Sequence, residues 1–83
     1  MYTFKHFIGH DYHVLRKATY VVRFYKIYNG YHEGWLREIT NYKDCGKDED
    51  ITVFWNDTDA FEAYSEAMES YGFKKFDIRS GNY

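Results

Sequence analysis

The sequence has no proline, a single cysteine and only six glycines among its 83 residues. One thiol, Cys45, closes no intramolecular disulfide, so the chain reads as a protein of a reducing compartment. Long apolar runs are missing as well. The longest uninterrupted one, around residues 20–22, is far shorter than the roughly 20 residues a membrane-spanning helix needs. The first nine residues contain Lys5 and His6 and lack the apolar core of a secretory signal. These absences lead us to expect a soluble, cytoplasmic protein without membrane contact. A phosphate-binding glycine loop, a dinucleotide-binding glycine pattern, a nucleophile elbow and paired cysteine motifs are also absent. The expectation is therefore a non-enzymatic chain with no cofactor. With neither repeats, low-complexity segments nor a linker, one domain is expected over residues 1–83.

What the sequence holds in excess is aromatic rings: ten Tyr, seven Phe and two Trp. Each ring buries a large apolar area. That compensates for a length at which only about 60% of the unfolded surface is buried on folding. With 45% hydrophobic residues and a net charge of −2, disorder is disfavoured. The rings outnumber the places a small core offers, so some tyrosines belong at the surface, where Tyr marks binding interfaces.

Hydrophobic periodicity points to an α+β fold. We expect a single twisted, largely antiparallel sheet of four to five strands with one helix, at about residues 58–71, packed on one face. Tyr2, Phe4, His6 and Ile8 alternate with Thr3, Lys5 and Phe7, a strand signal ended by Gly9. Residues 10–17 read as a loop or one helical turn. Two runs of β-formers, 18–28 and 31–42, flank Asn29-Gly30, a hairpin signal because both residues accept the positive φ of a type I′ turn. The preferred register sets Tyr28 opposite Tyr31, Lys26 opposite Glu33 and Phe24 opposite Trp35. A two-residue shift, with residues 31–33 in the loop, pairs Arg23 with Glu38 instead.

A charged loop over residues 43–50 then leads into a short strand at 51–55. Phe61, Tyr64, Met68 and Tyr71 recur at helical steps beside Ala60, Ala63 and Ala67, with Asp57 or Thr58 as N-cap and Gly72 past the end. Phe73, Phe76 and Ile78 suggest a final strand, so residues 51–79 read as a β–α–β unit with parallel strands. The sheet face away from the helix is left partly uncovered, and the spare tyrosines belong there.

Charge is segregated along the chain. Residues 1–43 sum to +4, residues 44–70 to −8 and the rest to +2. The acidic block comprises Asp44, Asp48, Glu49, Asp50, Asp57 and Asp59, continued by Glu62, Glu66 and Glu69. It is either a solvated helix face or an anionic surface shaped for a basic cleft, where carboxylates take sites that Lys and Arg otherwise give to phosphates. A second surface interleaves Arg23, Tyr25, Lys26, Arg37 and Tyr42 on strands, a platform on which nucleic-acid bases stack. Against it stand an isoelectric point near 6 and the lack of the basic-Gly-aromatic signature of RNA-binding sheets.

His6, His10 and His13 have spacings that suit zinc on a helix, but His6 falls in an apparent strand and no thiolate lies near, so no metal is expected. Cys45 sits between Asp44 and Asp48, whose charges oppose thiolate formation. Asn56-Asp57-Thr58 matches a glycosylation acceptor and is better read as a helix start.

A short chain opening on Met1, no catalytic motif, Tyr-rich strands and acidity from Asp44 through Glu69 make the sequence resemble the small standalone inhibitors that phages express against host machinery, anti-CRISPR proteins among them. The likeness is one of type and carries no motif, so no functional residue is taken from it. It implies an inhibitor acting in the host cytoplasm that docks its acidic face on a basic, nucleic-acid-handling protein. Direct nucleic-acid binding ranks second, and a homodimer is compatible with either.

Overall fold

A computed structural model describes residues 3–83. The elements are α1 (Phe4–Ile8), β1 (Tyr12–Lys17), β2 (Tyr20–Asn29), β3 (His32–Lys43), β4 (Gly46–Phe54), α2 (Asp57–Tyr71), a 3₁₀ turn (Lys75–Asp77) and β5 (Ile78–Gly81). The fold is α+β, with five strands in the order β4-β3-β2-β1-β5, every neighbouring pair antiparallel. Among the described residues no helix is long and apolar enough to cross a membrane.

α2 forms where expected, starting at Asp57. Its N-cap is Asn56, whose Oδ1 accepts the Asp59 N–H at 2.7 Å, rather than Asp57 or Thr58. Gly72, with φ of +68°, ends it in the left-handed conformation glycine tolerates. Ala60, Ala63, Tyr64, Ala67 and Met68 are buried, and the three alanines let the helix lie close to the sheet. Glu62, Glu66 and Glu69 face solvent. Phe61 is half-buried against the core, with Phe4 of α1 edge-on to it at 5.3 Å.

Residues 4–8 are helical, not extended. Thr3 Oγ1 accepts the His6 N–H at 3.2 Å. Phe4 and Phe7, three apart, both reach Phe61, and Tyr2 lies outside the described residues. Residues 12–17 form a strand instead of a loop, with His13 and Leu15 buried on one side. That strand offers an edge, and β5 takes it, pairing Ile78 with Leu15 and Ser80 with His13. The expected parallel β–α–β pair is therefore corrected: β4 and β5 run in the same direction but lie at opposite edges of the sheet. Residues 75–77 turn as a 3₁₀ helix, which leaves Phe76 86% exposed.

The β2–β3 hairpin takes the shifted register. Asn29 pairs with His32, so the loop is Gly30-Tyr31 rather than reaching residue 33, and Arg23 faces Glu38. Only Gly30 of the two has a positive φ, +63°, as in a type II′ turn rather than the I′ turn that Asn-Gly suggests. The register sets Lys26 opposite Trp35, its ammonium 5.1 Å from the ring centre.

The charged segment 43–50 is mostly strand. Asp44 and Cys45 make the turn, and the charges that suggest a loop are absorbed as ion pairs: Lys43 with Asp48, Lys47 with Glu49 and Arg37 with Asp50.

The core lies between the helices and one sheet face. Leu15, Val22, Phe24, Trp35 and Ile78 supply the sheet side, Phe7 comes from α1, and Tyr64 leads the α2 contribution. His13 is equally buried among these rings.

Candidate binding surface

Strand alternation turns the remaining side chains to the opposite face. The registers set them in rows across the strands. One row runs Tyr12, Tyr25, Leu36, Val53; the next runs Arg79, Val14, Arg23, Glu38, Ile51. Among the described residues neither helix packs on this face. Ile51 is 55% exposed, Val53 38% and Trp55 51%, while Tyr25, Ile27 and Leu36 are half-buried between neighbours. This is the partly uncovered face the sequence suggests, although aliphatic residues and Trp55 share it with the tyrosines.

Two glycines shape the surface. A Cβ on Gly34 would sit 2.7 Å from the Trp55 ring and 2.8 Å from the Phe54 carbonyl, so that ring rests close against β3, and a Cβ on Gly81 would run into the Tyr12 ring. Glycine inside a strand marks such close approach. At the centre of the face Arg23 Nη1 meets Glu38 Oε1 at 3.1 Å. Burial opposes the Arg23 charge, but Tyr42, Tyr25 and Glu38 outweigh it and hold its pKa above the ordinary value.

The predicted acidic residues divide into several groups. Asp48 and Asp50 project to the helix side of β4, opposite Asn41 and Ile39, whereas Glu49, opposite Thr40, projects to the open side. Across from Asp50, a groove of about 140 Å³ runs between α2 and β3, with Glu66 and Ser70 on its helix bank and Arg37 and Ile39 on its floor. Arg37 Nη2 reaches Asp50 at 3.5 Å. Asp48, Asp50 and Glu66 therefore share one side of the molecule. Asp44 lies in the β3–β4 turn, Glu62 points to solvent, and Glu69 borders a different hollow, near Phe73 and Lys74.

Asp57 and Asp59 are spent on the fold. Asp59 accepts from Asn56 at 2.8 Å. Asp57 Oδ1 accepts from Trp35 Nε1 at 2.8 Å and from Lys26 Nζ at 3.1 Å. Burial works to raise the Asp57 pKa, yet these two donors prevail and leave it lowered. A sequence contains no sign that one carboxylate ties β2, β3 and the start of α2 together.

The basic-aromatic set is also divided. Arg23, Tyr25 and Tyr42 lie on the open face, while Lys26 and Arg37 project to the helix side. Lys26 is held by Asp57 and Glu33, with only 11% of its side chain exposed. Burial opposes its charge, and the two carboxylates raise its pKa over that opposition. Arg37 is bound to Asp50 and Thr52. Arg16 and Arg79, which belong to neither expected set, lie on the open face in register with Val21 and Val14.

His6, His10 and His13 do converge, with ring centres 4.5–5.9 Å apart. His13 is committed at both nitrogens, to the Phe7 carbonyl and to Ser80 Oγ. Among the described residues no group of three or more His, Cys, Asp or Glu is arranged to hold a metal ion. Cys45 is exposed at the β3–β4 turn. Compared with family models, curated proteins and solved structures, the chain matches none, so the reading of this surface rests on the chain's own residues.

Proposed function

We propose that this chain is a non-enzymatic protein-binding domain that meets a basic partner through β4 and the sheet face beside it. One observation carries the reading. Three exposed acids, Asp48, Glu49 and Asp50, lie together on a long sheet edge whose other half presents Ile51 and Val53 beside Trp55. Exposed apolar surface rimmed by charge marks an interaction site. Acids at the rim speed association with a basic surface, and the desolvated rings and aliphatics slow dissociation. A nucleic-acid-handling protein, whose basic channel otherwise holds phosphates, is the partner class that fits. An inhibitor would work by filling that channel.

The nucleic-acid-binding reading has weaker support. Lys26 and Arg37 are engaged on the wrong side of the sheet, and Arg23 is neutralised by Glu38. The test is capture from native lysate with and without nuclease, using the wild type and a variant with Asp48, Glu49 and Asp50 changed to Lys. A basic protein retained after nuclease, released by salt and lost in the variant is the expected result. Recovery of nucleic acid by both forms, abolished by Arg23→Ala with Arg79→Ala, would overturn it.

A further inference from the structure

The two edges of the sheet are not alike. β5 has only four residues, and beyond it Asn82 and Tyr83 are bonded to Asp11, before β1. β4 has nine residues and pairs along its length with β3 alone. Alternate N–H and C=O groups on its outer side therefore point away from the sheet, a template for another strand.

Edges are ordinarily guarded by proline, lysine, bulges or brevity. Here there is no proline, and the charged residues, Lys47 among them, stand only in the first half. Residues 51–54, Ile-Thr-Val-Phe, carry no charge.

The acids decide what can pair. Antiparallel pairing of two copies of β4 about Asp50 sets Asp50 against its own copy. Centring on Glu49 opposes two Glu49 side chains and sets each Asp48 against an Asp50. Like charges directly opposite are destabilising, so both of these registers are disfavoured for a second copy. Centring on Ile51 opposes no acids but leaves all three carboxylates without a cation across the pair, which a basic strand supplies.

We propose that β4 receives an extended segment of the partner as a sixth strand, with side chains alternating between basic and apolar. This rests on the protein-binding reading above. On the helix side the incoming residues lie beside Asp48 and Asp50, with Glu66 across the groove, and there Lys or Arg fits. On the open side the alternate residues lie beside Ile51 and Val53, and there apolar side chains fit. Main-chain bonds along β4 supply affinity and the alternation supplies specificity. The ion pairs now on β4 do not block this. Lys43–Asp48 and Lys47–Glu49 are more than a third exposed on both sides, and such surface pairs are worth little. Arg37 is more covered, but its partner Asp50 is 68% exposed and has carboxylate lone pairs left for a second cation.

The test uses a short capped peptide alternating lysine with valine. Two controls are a peptide of the same composition with the lysines grouped, and the alternating peptide N-methylated throughout. Affinity and amide hydrogen exchange of the protein are both measured. The alternating peptide should bind about tenfold more tightly than the grouped one, the worth of a few cross-strand pairs. It should slow exchange at alternate amides of β4, and Asp48→Asn with Asp50→Asn should remove the preference.

Equal affinity for all three peptides without protection of β4 would overturn strand addition while leaving a basic partner in place. Failure of every peptide to bind would remove the protein-binding reading as well. Protection of β4 by self-association of the protein alone would overturn the proposal in favour of a second copy.

Discussion

Acid should loosen this domain through His13. The imidazole is fully buried, stacked on Phe7 with ring centres 4.8 Å apart and 5.1 Å from the Tyr64 ring. A carbonyl only accepts, so Nε2 carries the proton it donates to the Phe7 oxygen at 2.8 Å. Nδ1 then accepts from the Ser80 hydroxyl at 2.6 Å. A second proton would place a charge among aromatic rings.

Burial pushes the His13 pKa from 6.5 down to about 4, the Phe7 bond opposing and His6 and His10 adding to the shift. His6 is lowered too, by burial and then by His10 and Lys75. A depressed folded-state pKa means the unfolded chain binds the proton first. The stability is then fully present above pH 6.5 and is lost as pH falls towards 4. At about 1.4 kcal/mol per pH unit, roughly 2 kcal/mol disappears between about pH 7 and pH 4.5. A chain of this length has roughly 4 to 12 kcal/mol in all.

With a urea m-value near 1 kcal/mol per molar, the unfolding midpoint should fall by about 2 M over that range. The Asp57 contribution is lost only as pH falls below its ordinary value of 3.8, which keeps the two windows apart. His13→Gln, which retains a donor and an acceptor, should unfold at lower urea at neutral pH but lose most of the acid dependence. An equal acid shift in wild type and His13→Gln would refute the reasoning.

Four further substitutions test the packing. Ala18 holds a φ of +53° in the β1–β2 turn, so Ala18→Gly should stabilise the fold by up to about 1 kcal/mol, relief of the left-handed cost exceeding the added unfolded-state entropy; destabilisation in urea would contradict this. Gly34→Ala should displace the Trp55 ring, cost about 1–3 kcal/mol and shift tryptophan emission; unchanged emission would mean the ring does not rest there. Tyr64→Ala should cost about 3–5 kcal/mol, as truncation of a fully buried ring does, whereas Glu66→Ala should stay within about 0.5 kcal/mol; similar midpoints for the two would place the wrong helix face inward.

α2 was legible because its apolar residues recur at helical spacing and Gly72 closes it, all local properties. Its cap was not, because Asp57 is drawn away by Lys26 and Trp35, partners more than twenty residues distant in sequence. β1 was hidden by His13, a polar residue at a core position that spoils the alternation until Phe7 and Ser80 are brought to it. The second half of β4 reads as a strand, but residues 46–50 read as a loop by composition, and cross-strand cations such as Lys43 and Arg37 are what offset Asp48 and Asp50 there. The hairpin register turned on which residue takes the positive φ, and Asn29-Gly30 is compatible with either choice. The uncovered face followed from one helix serving a wide sheet. Which acids stand beside it did not, since that depends on residues 46–50 being strand.

The central claim, that β4 and the neighbouring open face form the partner-binding surface, is tested most directly by site-specific photo-crosslinking. A photoreactive residue is placed at Ile51, and in a second variant at Phe76, a still more exposed position outside that surface. In native lysate treated with nuclease, position 51 should crosslink to a basic protein, and Asp48→Lys with Asp50→Lys should abolish the product while position 76 gives none. Crosslinks of equal yield from both positions, or a product from position 51 that is nucleic acid alone, would contradict the account.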